Sequence, residues 1–189
     1  MSTSELREDQ PDIALHMPVL EELASRSAIV LELGTGFGNG STRAIARGLA
    51  RSPRSNKLWV SVDGDPARPE EPPQDVPYWK LVHGRTEDFR TPLCVRYLNG
   101  KGPVDLLFID TDHTYEQMRT ELELWGVFIS PETIVVAHDV FMFGVRNDMT
   151  MALVEWAQAH PGWKYFDYSL DSHGLGMMRH RDGPWGDVR

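Results

Sequence analysis

Apolar residues come in two kinds of block along this chain. Short, nearly continuous apolar runs recur at residues 28–33 (AIVLEL), 57–63 (KLWVSVD), 78–84 (YWKLVHG), 104–110 (VDLLFID) and 133–139 (TIVVAHD). Runs of this length, bounded by turn residues, read as buried strands. Between them the apolar positions return at helical spacing. Ile13, Met17, Leu20 and Leu23 share one face before the first strand, and Ile45 and Leu49 share one in residues 41–51. Residues 114–125 read as a helix that opens with a capping box of Thr114 and Gln117. Residues 148–160 read as another, stopped by Pro161 and Gly162. The segment 64–77 is rich in proline and acid and reads as a loop, and 87–100 is a poor helix broken near Pro92. Two further runs, 163–170 and 173–180, read as strands joined by a short polar loop.

Strand and helix therefore alternate five times before a hairpin-like pair. Alternation predicts an α/β fold, a mostly parallel sheet with helices on both faces, and the closing pair predicts an antiparallel edge strand. By length the 189 residues are expected to form one domain, 1–189, and residues 1–11 read as a loose acidic and polar tail.

Composition narrows the function. Hydrophobic content is 41% and charged content 25%, ordinary for a globular chain. The net charge of −9, with no basic stripe, argues against a nucleic-acid partner. The single cysteine, Cys94, cannot pair within the chain, which fits a reducing cytoplasm. No run of about 18 apolar residues offers a membrane span, and the N-terminus is no secretory signal.

The first chemical feature is the glycine loop between the first strand and the helix at Ser41, where glycines stand at 34, 36, 38 and 40. Missing side chains beside a helix N-terminus admit a ligand close to the backbone. The dinucleotide pattern G-x-G-x-x-G fails, because Asn39 or Ser41 occupies the sixth position, and no Gly-Lys-Ser/Thr follows for a nucleotide P-loop. What remains is an acid, Glu32, followed by alternating glycines. This motif and the strand order resemble the class I S-adenosylmethionine-dependent methyltransferases, over roughly residues 12–180.

The resemblance implies a Rossmann-like, seven-stranded sheet and a cofactor site built on Glu32, Gly34, Thr35, Gly36, Gly38 and Ser41. Topology extends that site, since ligands of such sheets lie at the carboxyl ends of the strands near the switch point. Asp63 ends the second strand, 23 positions after Gly40, where a carboxylate accepts hydrogen bonds from a ribose diol. Arg85 and Thr86 follow the third strand, where the family contacts adenine, and Asp110 ends the fourth.

The fourth and fifth strands are expected to be neighbours, so Asp110, His138 and Asp139 share one rim. Two carboxylates and an imidazole suit a divalent cation with open positions. This arrangement resembles the metal-dependent O-methyltransferases of the catechol, cephalosporin-hydroxylase-like and macrolide-sugar types. Asp110 and Asp139 match the family's metal-binding acids, whereas His138 stands where the family carries an oxygen ligand. Magnesium or manganese is the expected ion, with imidazole favouring transition metals over magnesium. His113, three positions after Asp110, matches the offset of the family's catalytic lysine or histidine and is the expected general base.

The resemblance thus implies O-methylation of a hydroxyl on a small molecule, a sugar or secondary metabolite, and leaves homo-oligomer formation open. The alternatives are a metal-independent N- or C-methyltransferase, or a non-catalytic or hydroxylase-like cofactor-binding protein on the same fold. Residues 141–147 (FMFGVRN) read as an apolar lid over the acceptor. His16, His83, His160, His173 and His180 read as packing or surface residues.

Overall fold

The computed structural model of the protein describes residues 12–36, 38–64, 76–87 and 97–186. A 3-10 turn, Asp12–Leu15, leads into α1 (Met17–Ser25). The strands β1 (Ile29–Leu33), β2 (Leu58–Asp63), β3 (Trp79–His83), β4 (Leu106–Ile109) and β5 (Ile134–His138) follow the five apolar runs. They alternate with α2 (Ser41–Arg51) and α3 (Tyr115–Trp125). A short hairpin, β6 (Phe141–Met142) and β7 (Val145–Arg146), precedes α4 (Met149–Ala159). Strands β8 (Trp163–Ser169) and β9 (Leu175–His180) close the chain. The proline-rich loop and the poor helix fall outside the described residues except at their ends.

The seven-stranded sheet has the order β3-β2-β1-β4-β5-β9-β8. The first five strands pair in parallel, and β9 pairs antiparallel with both β5 and β8. The antiparallel strand therefore sits one place inside the edge strand β8. Alternation along each strand divides the core in two. Leu31, Leu33, Leu107 and Ile109 pack with Met118, Leu122 and Trp125 of α3 and Leu153 of α4. On the other face Val30, Leu106 and Phe108 pack with Leu20 and Leu23 of α1 and Ile45 and Leu49 of α2. Burying each such side chain is worth roughly 1.5–3 kcal/mol, so the register that keeps both faces apolar is strongly preferred.

That register places the polar strand ends. Leu33 pairs with Ile109, which sets Gly34 beside Asp110. Ile109 pairs with Ala137, which sets Asp110 beside His138. His138 pairs with Leu175, which brings the residues before β9 over Asp139.

Candidate active site

The glycine loop is shaped by backbone constraints. Gly34, Gly36 and Gly38 take φ of 85°, 56° and 75°, a region costly for residues with a Cβ. At Gly34 the constraint is doubled, since a Cβ would lie 1.9 Å from the Asp110 carbonyl oxygen. The next residue ties the loop to β2. The Thr35 N–H and hydroxyl each donate to Asp63 Oδ2 at 2.8 Å. Gly34, Gly36, Asp63, Arg85, Thr86 and Asp110 all line one cavity of about 550 Å³, which His113 and Asp139 also border.

Glu32, Thr35, Gly38, Ser41 and His138 stand outside that lining. The Glu32 carboxylate is fully buried and accepts four hydrogen bonds: Ser41 and Thr42 donate to Oε1 at 2.9 and 2.8 Å, Trp59 and Ser61 to Oε2 at 3.2 and 2.6 Å. Burial pushes its carboxyl up to about 7 despite those donors. The acid of the glycine motif thus fastens α2 and β2 to β1.

A second buried acid, Glu121, gathers the turns after β3 and β4. Glu121 of α3 accepts from three residues of the cavity lining, from Thr86, from Thr111 at 2.9 Å and from Gln117 at 2.9 Å. Burial raises its pKa. Trp125 Nε1 donates to the Thr86 carbonyl at 2.9 Å. The sequence signal was present: Glu121 lies three residues after Met118 and four before Trp125, on the buried face of α3. This network also alters the expected capping box. Thr114 Oγ1 accepts from the Gln117 N–H at 3.2 Å, but the Gln117 side chain donates to Thr86 and Glu121 rather than closing back on Thr114.

The ends of β4, β5 and the β8–β9 loop meet in an acid–imidazole cluster centred on Asp139. His113 Nε2 lies 2.8 Å from Asp139 Oδ2 and 3.6 Å from Asp110 Oδ1. His138 Nδ1 lies 3.3 Å from Asp139 Oδ2 and 3.6 Å from Asp110 Oδ1. His173 Nδ1 lies 3.0 Å from Asp139 Oδ1. Asp139 takes φ of 59°, an uncommon conformation for a residue with a Cβ, which marks a position held by its surroundings.

Electrostatics follow from the geometry. The Asp110 and Asp139 carboxylates push the His113 imidazole up to about 9 against its partial burial. Burial opposes charge on His138, yet the same two acids outweigh it and raise that imidazole to about 10. Burial alone would raise Asp139, but His113 and His138 hold it well below the usual carboxylate range.

The donor set fits a cation. Among the described residues the buried side-chain polar atoms without a hydrogen-bond partner are His138 Nδ1 and Nε2, Asp139 Oδ1 and His173 Nδ1, all in this cluster. Unpartnered buried groups cost about 1–3 kcal/mol each, so their concentration in one place calls for a ligand. Two sets of three donors, Asp110–His113–Asp139 and Asp12–His138–Asp139, each gather within 4.8 Å.

Two histidines read as packing or surface residues stand close to this cluster. His16, only 2% exposed, donates through Nε2 to the Asp171 carbonyl at 2.9 Å, and its ring lies 5.5 Å from that of His138. His173 enters the cluster itself. The expected lid over 141–147 is the β6–β7 hairpin, with φ of 53° at Phe143 and 81° at Gly144 as a two-residue turn requires. Phe143 is 92% exposed at its tip, and Arg146 pairs with Asp167 of β8.

This sheet order, with a glycine loop at the switch point between β1 and β4, defines a Rossmann-like class I methyltransferase fold. Residues 31–140, more than half the chain, match the methyltransferase domain family, and the protein belongs to it as an S-adenosylmethionine-dependent methyltransferase. No curated protein matches the chain in sequence. Solved structures share the fold at low identity. The SAH-bound methyltransferase PaMTH1 of Podospora anserina is 20% identical with a TM-score of 0.63, covering 89% of this chain and 79% of its own. CalS11, the TDP-rhamnose 3'-O-methyltransferase of calicheamicin biosynthesis, is 19% identical with a TM-score of 0.63, covering 96% and 82%. MycE, from the mycinamycin pathway and solved with Mg, SAH and mycinamycin VI, is 15% identical with a TM-score of 0.56, covering 89% of this chain but 49% of its own. Among the described residues no helix is long and apolar enough to cross a membrane.

Proposed function

We propose that the protein is a divalent-metal-assisted O-methyltransferase, moving the methyl group of S-adenosylmethionine to a hydroxyl of a small molecule, a natural product or sugar. The observation that carries this reading is the buried, partly unpartnered acid–imidazole cluster on the rim of the cavity bordered by the glycine loop. It accords with the Mg and SAH bound in the MycE structure and with CalS11 being a TDP-rhamnose 3'-O-methyltransferase.

In this reading Gly34, Thr35, Gly36 and Gly38 let the cofactor approach the backbone at the α2 N-terminus, with Ser41 and Glu32 fixing that turn. Asp63 accepts from the ribose, and Arg85 and Thr86 flank the adenine. Asp110 stands at the reactive end. Asp110, His138 and Asp139 hold the cation, magnesium or manganese. When bound, a divalent ion lowers the pKa of an acceptor hydroxyl and offsets the carboxylate charges beside it.

His113 is the base. At neutral pH the two neighbouring acids keep its proton in place, so it serves as an acceptor only where their charge is offset. With Nε2 directed at Asp139, Nδ1 is the atom that takes the hydroxyl proton. The acceptor oxygen then attacks the methyl carbon, the carbon–sulfur bond breaks, and its electron pair stays on sulfur as S-adenosylhomocysteine. Alignment of oxygen, methyl and sulfur does most of the work in such a displacement.

A chelator decides the matter. Turnover of a hydroxylated acceptor should vanish in EDTA and return with Mg²⁺ or Mn²⁺. Full turnover in EDTA would instead favour metal-independent transfer to nitrogen or carbon, with the acids of the cluster binding the substrate.

A further inference from the structure

We propose that His173, from the loop before β9, is an additional nitrogen ligand of the cation site, which makes the site selective for a borderline first-row metal such as Mn²⁺, Fe²⁺ or Co²⁺ over Mg²⁺. This rests on reading Asp110, His138 and Asp139 as the cation site, and it adds a residue from a different element together with a metal class.

Three observations converge. First, His173 Nδ1 is buried without a hydrogen-bond partner although it lies 3.0 Å from Asp139 Oδ1, itself unpartnered. Two donor atoms that close, both lacking hydrogen-bond geometry, are arranged toward something other than each other. His138, with 0% exposure, leaves both ring nitrogens in the same condition. Second, the backbone is bent to deliver the imidazole. Ser172 and His173 take φ of 49° and 66°, and Gly174 takes 83° where a Cβ would meet Phe141 Cβ at 2.7 Å. Consecutive residues in this region persist only when surroundings fix them, and here three contacts do so. The Phe141 N–H donates to the His173 carbonyl at 2.7 Å, the buried His16 ring bonds the Asp171 carbonyl, and Ser172 donates to the Asp12 carbonyl. Third, the acids around the loop are placed for a cation. Asp12 Oδ2 lies 3.6 Å from His173 Nδ1, and Asp12 offers a carboxylate oxygen within 4.8 Å of His138 and Asp139 donors.

The metal class follows from the donors. Magnesium binds oxygen ligands and keeps its waters, whereas imidazole suits Mn, Fe, Co, Ni and Zn. His138 alone would dilute an oxygen site, and a second imidazole turns it into a mixed nitrogen–oxygen site.

The test uses the full-length protein freed of metal, the His173→Asn variant and the Asp110→Asn variant. Asparagine tolerates the left-handed backbone; S-adenosylhomocysteine binding by calorimetry confirms that His173→Asn is folded, and circular dichroism confirms it for Asp110→Asn. Calorimetry with CoCl₂ and MgCl₂ should show Co²⁺ binding the unaltered protein more tightly than Mg²⁺. His173→Asn should weaken Co²⁺ on the order of tenfold or more and leave Mg²⁺ little changed. Pulsed EPR of the Mn²⁺ form should lose one imidazole nitrogen in His173→Asn. Unchanged Co²⁺ affinity and nitrogen count in a variant that still binds S-adenosylhomocysteine would overturn the role of His173, while sensitivity to Asp110→Asn would keep the cation site itself. No binding of either ion to the unaltered protein would overturn both.

Discussion

His113 illustrates how a residue acquires a role from its neighbours. An exposed histidine at the start of a helix is unremarkable, but the end of β4 sets it against Asp110 and the turn after β5 sets it against Asp139. Removing a general base typically costs 10²–10⁴-fold in turnover. His113→Ala should therefore lose about 10²–10⁴-fold in kcat while S-adenosylmethionine affinity, read by calorimetry, stays near that of the unaltered protein. A variant that keeps kcat would remove the base assignment. The proximity of Asp110, His138 and Asp139 was legible from the sequence because each polar residue ends an apolar run, and neighbouring parallel strands align their ends. His173 was not legible. It reaches the cluster through the antiparallel pairing of His138 with Leu175, a contact across 37 positions that no local pattern announces. Glu121 lay on an apolar helix face in plain view, and its meaning depended on Thr86 and Thr111 arriving from other elements.

At the scale of elements, apolar runs and helical spacing anticipated the strands and helices well, because burial on both sheet faces leaves little freedom in register. Turn chemistry was less visible. The expected lid is a four-residue hairpin pair held at Arg146, and the capping box is half-formed because Gln117 serves the Glu121 network. A tight joint between elements is the turn from β1 toward α2. Gly34→Ala would put a methyl group 1.9 Å from the Asp110 carbonyl oxygen in a backbone region already unfavourable to alanine. Neither atom is a flexible side-chain end, so β1 and β4 must part. Such a change should fall among the large destabilisations, on the order of 4 kcal/mol or more, in chemical denaturation. It should also abolish S-adenosylhomocysteine binding wherever the variant remains folded. A soluble Gly34→Ala protein with unaltered denaturation midpoint and affinity would show that the approach of the two strands is not required.

For the whole molecule, Glu32 couples fold stability to pH. Its carboxyl is raised from its ordinary 4.5 to about 7 by burial, so the folded chain holds this proton over a range in which the unfolded chain has released it. The stabilisation from the protonated acid is complete below about 4.5 and is lost as pH rises through about 7. Within that window Glu32 alone contributes a fall of up to about 1.4 kcal/mol per pH unit. Above it the contribution is flat. The four donors around the carboxylate explain why the chain nevertheless keeps an acid here: once ionised, it binds Ser41, Thr42, Trp59 and Ser61 together and so fastens α2 and β2 to β1. Glu32→Gln removes the titrating group but leaves an acceptor for only part of that set. The variant should be less stable in absolute terms, because its amide NH₂ meets hydroxyl and indole donors. Its denaturation free energy between pH 5 and about 7 should nonetheless slope less steeply than that of the unaltered protein. Urea denaturation in parallel buffers, with metal removed from both proteins, measures that difference in slope. Identical slopes would mean that Glu32 ionises in the folded protein as readily as in the unfolded chain, and that its four hydrogen bonds fully offset burial.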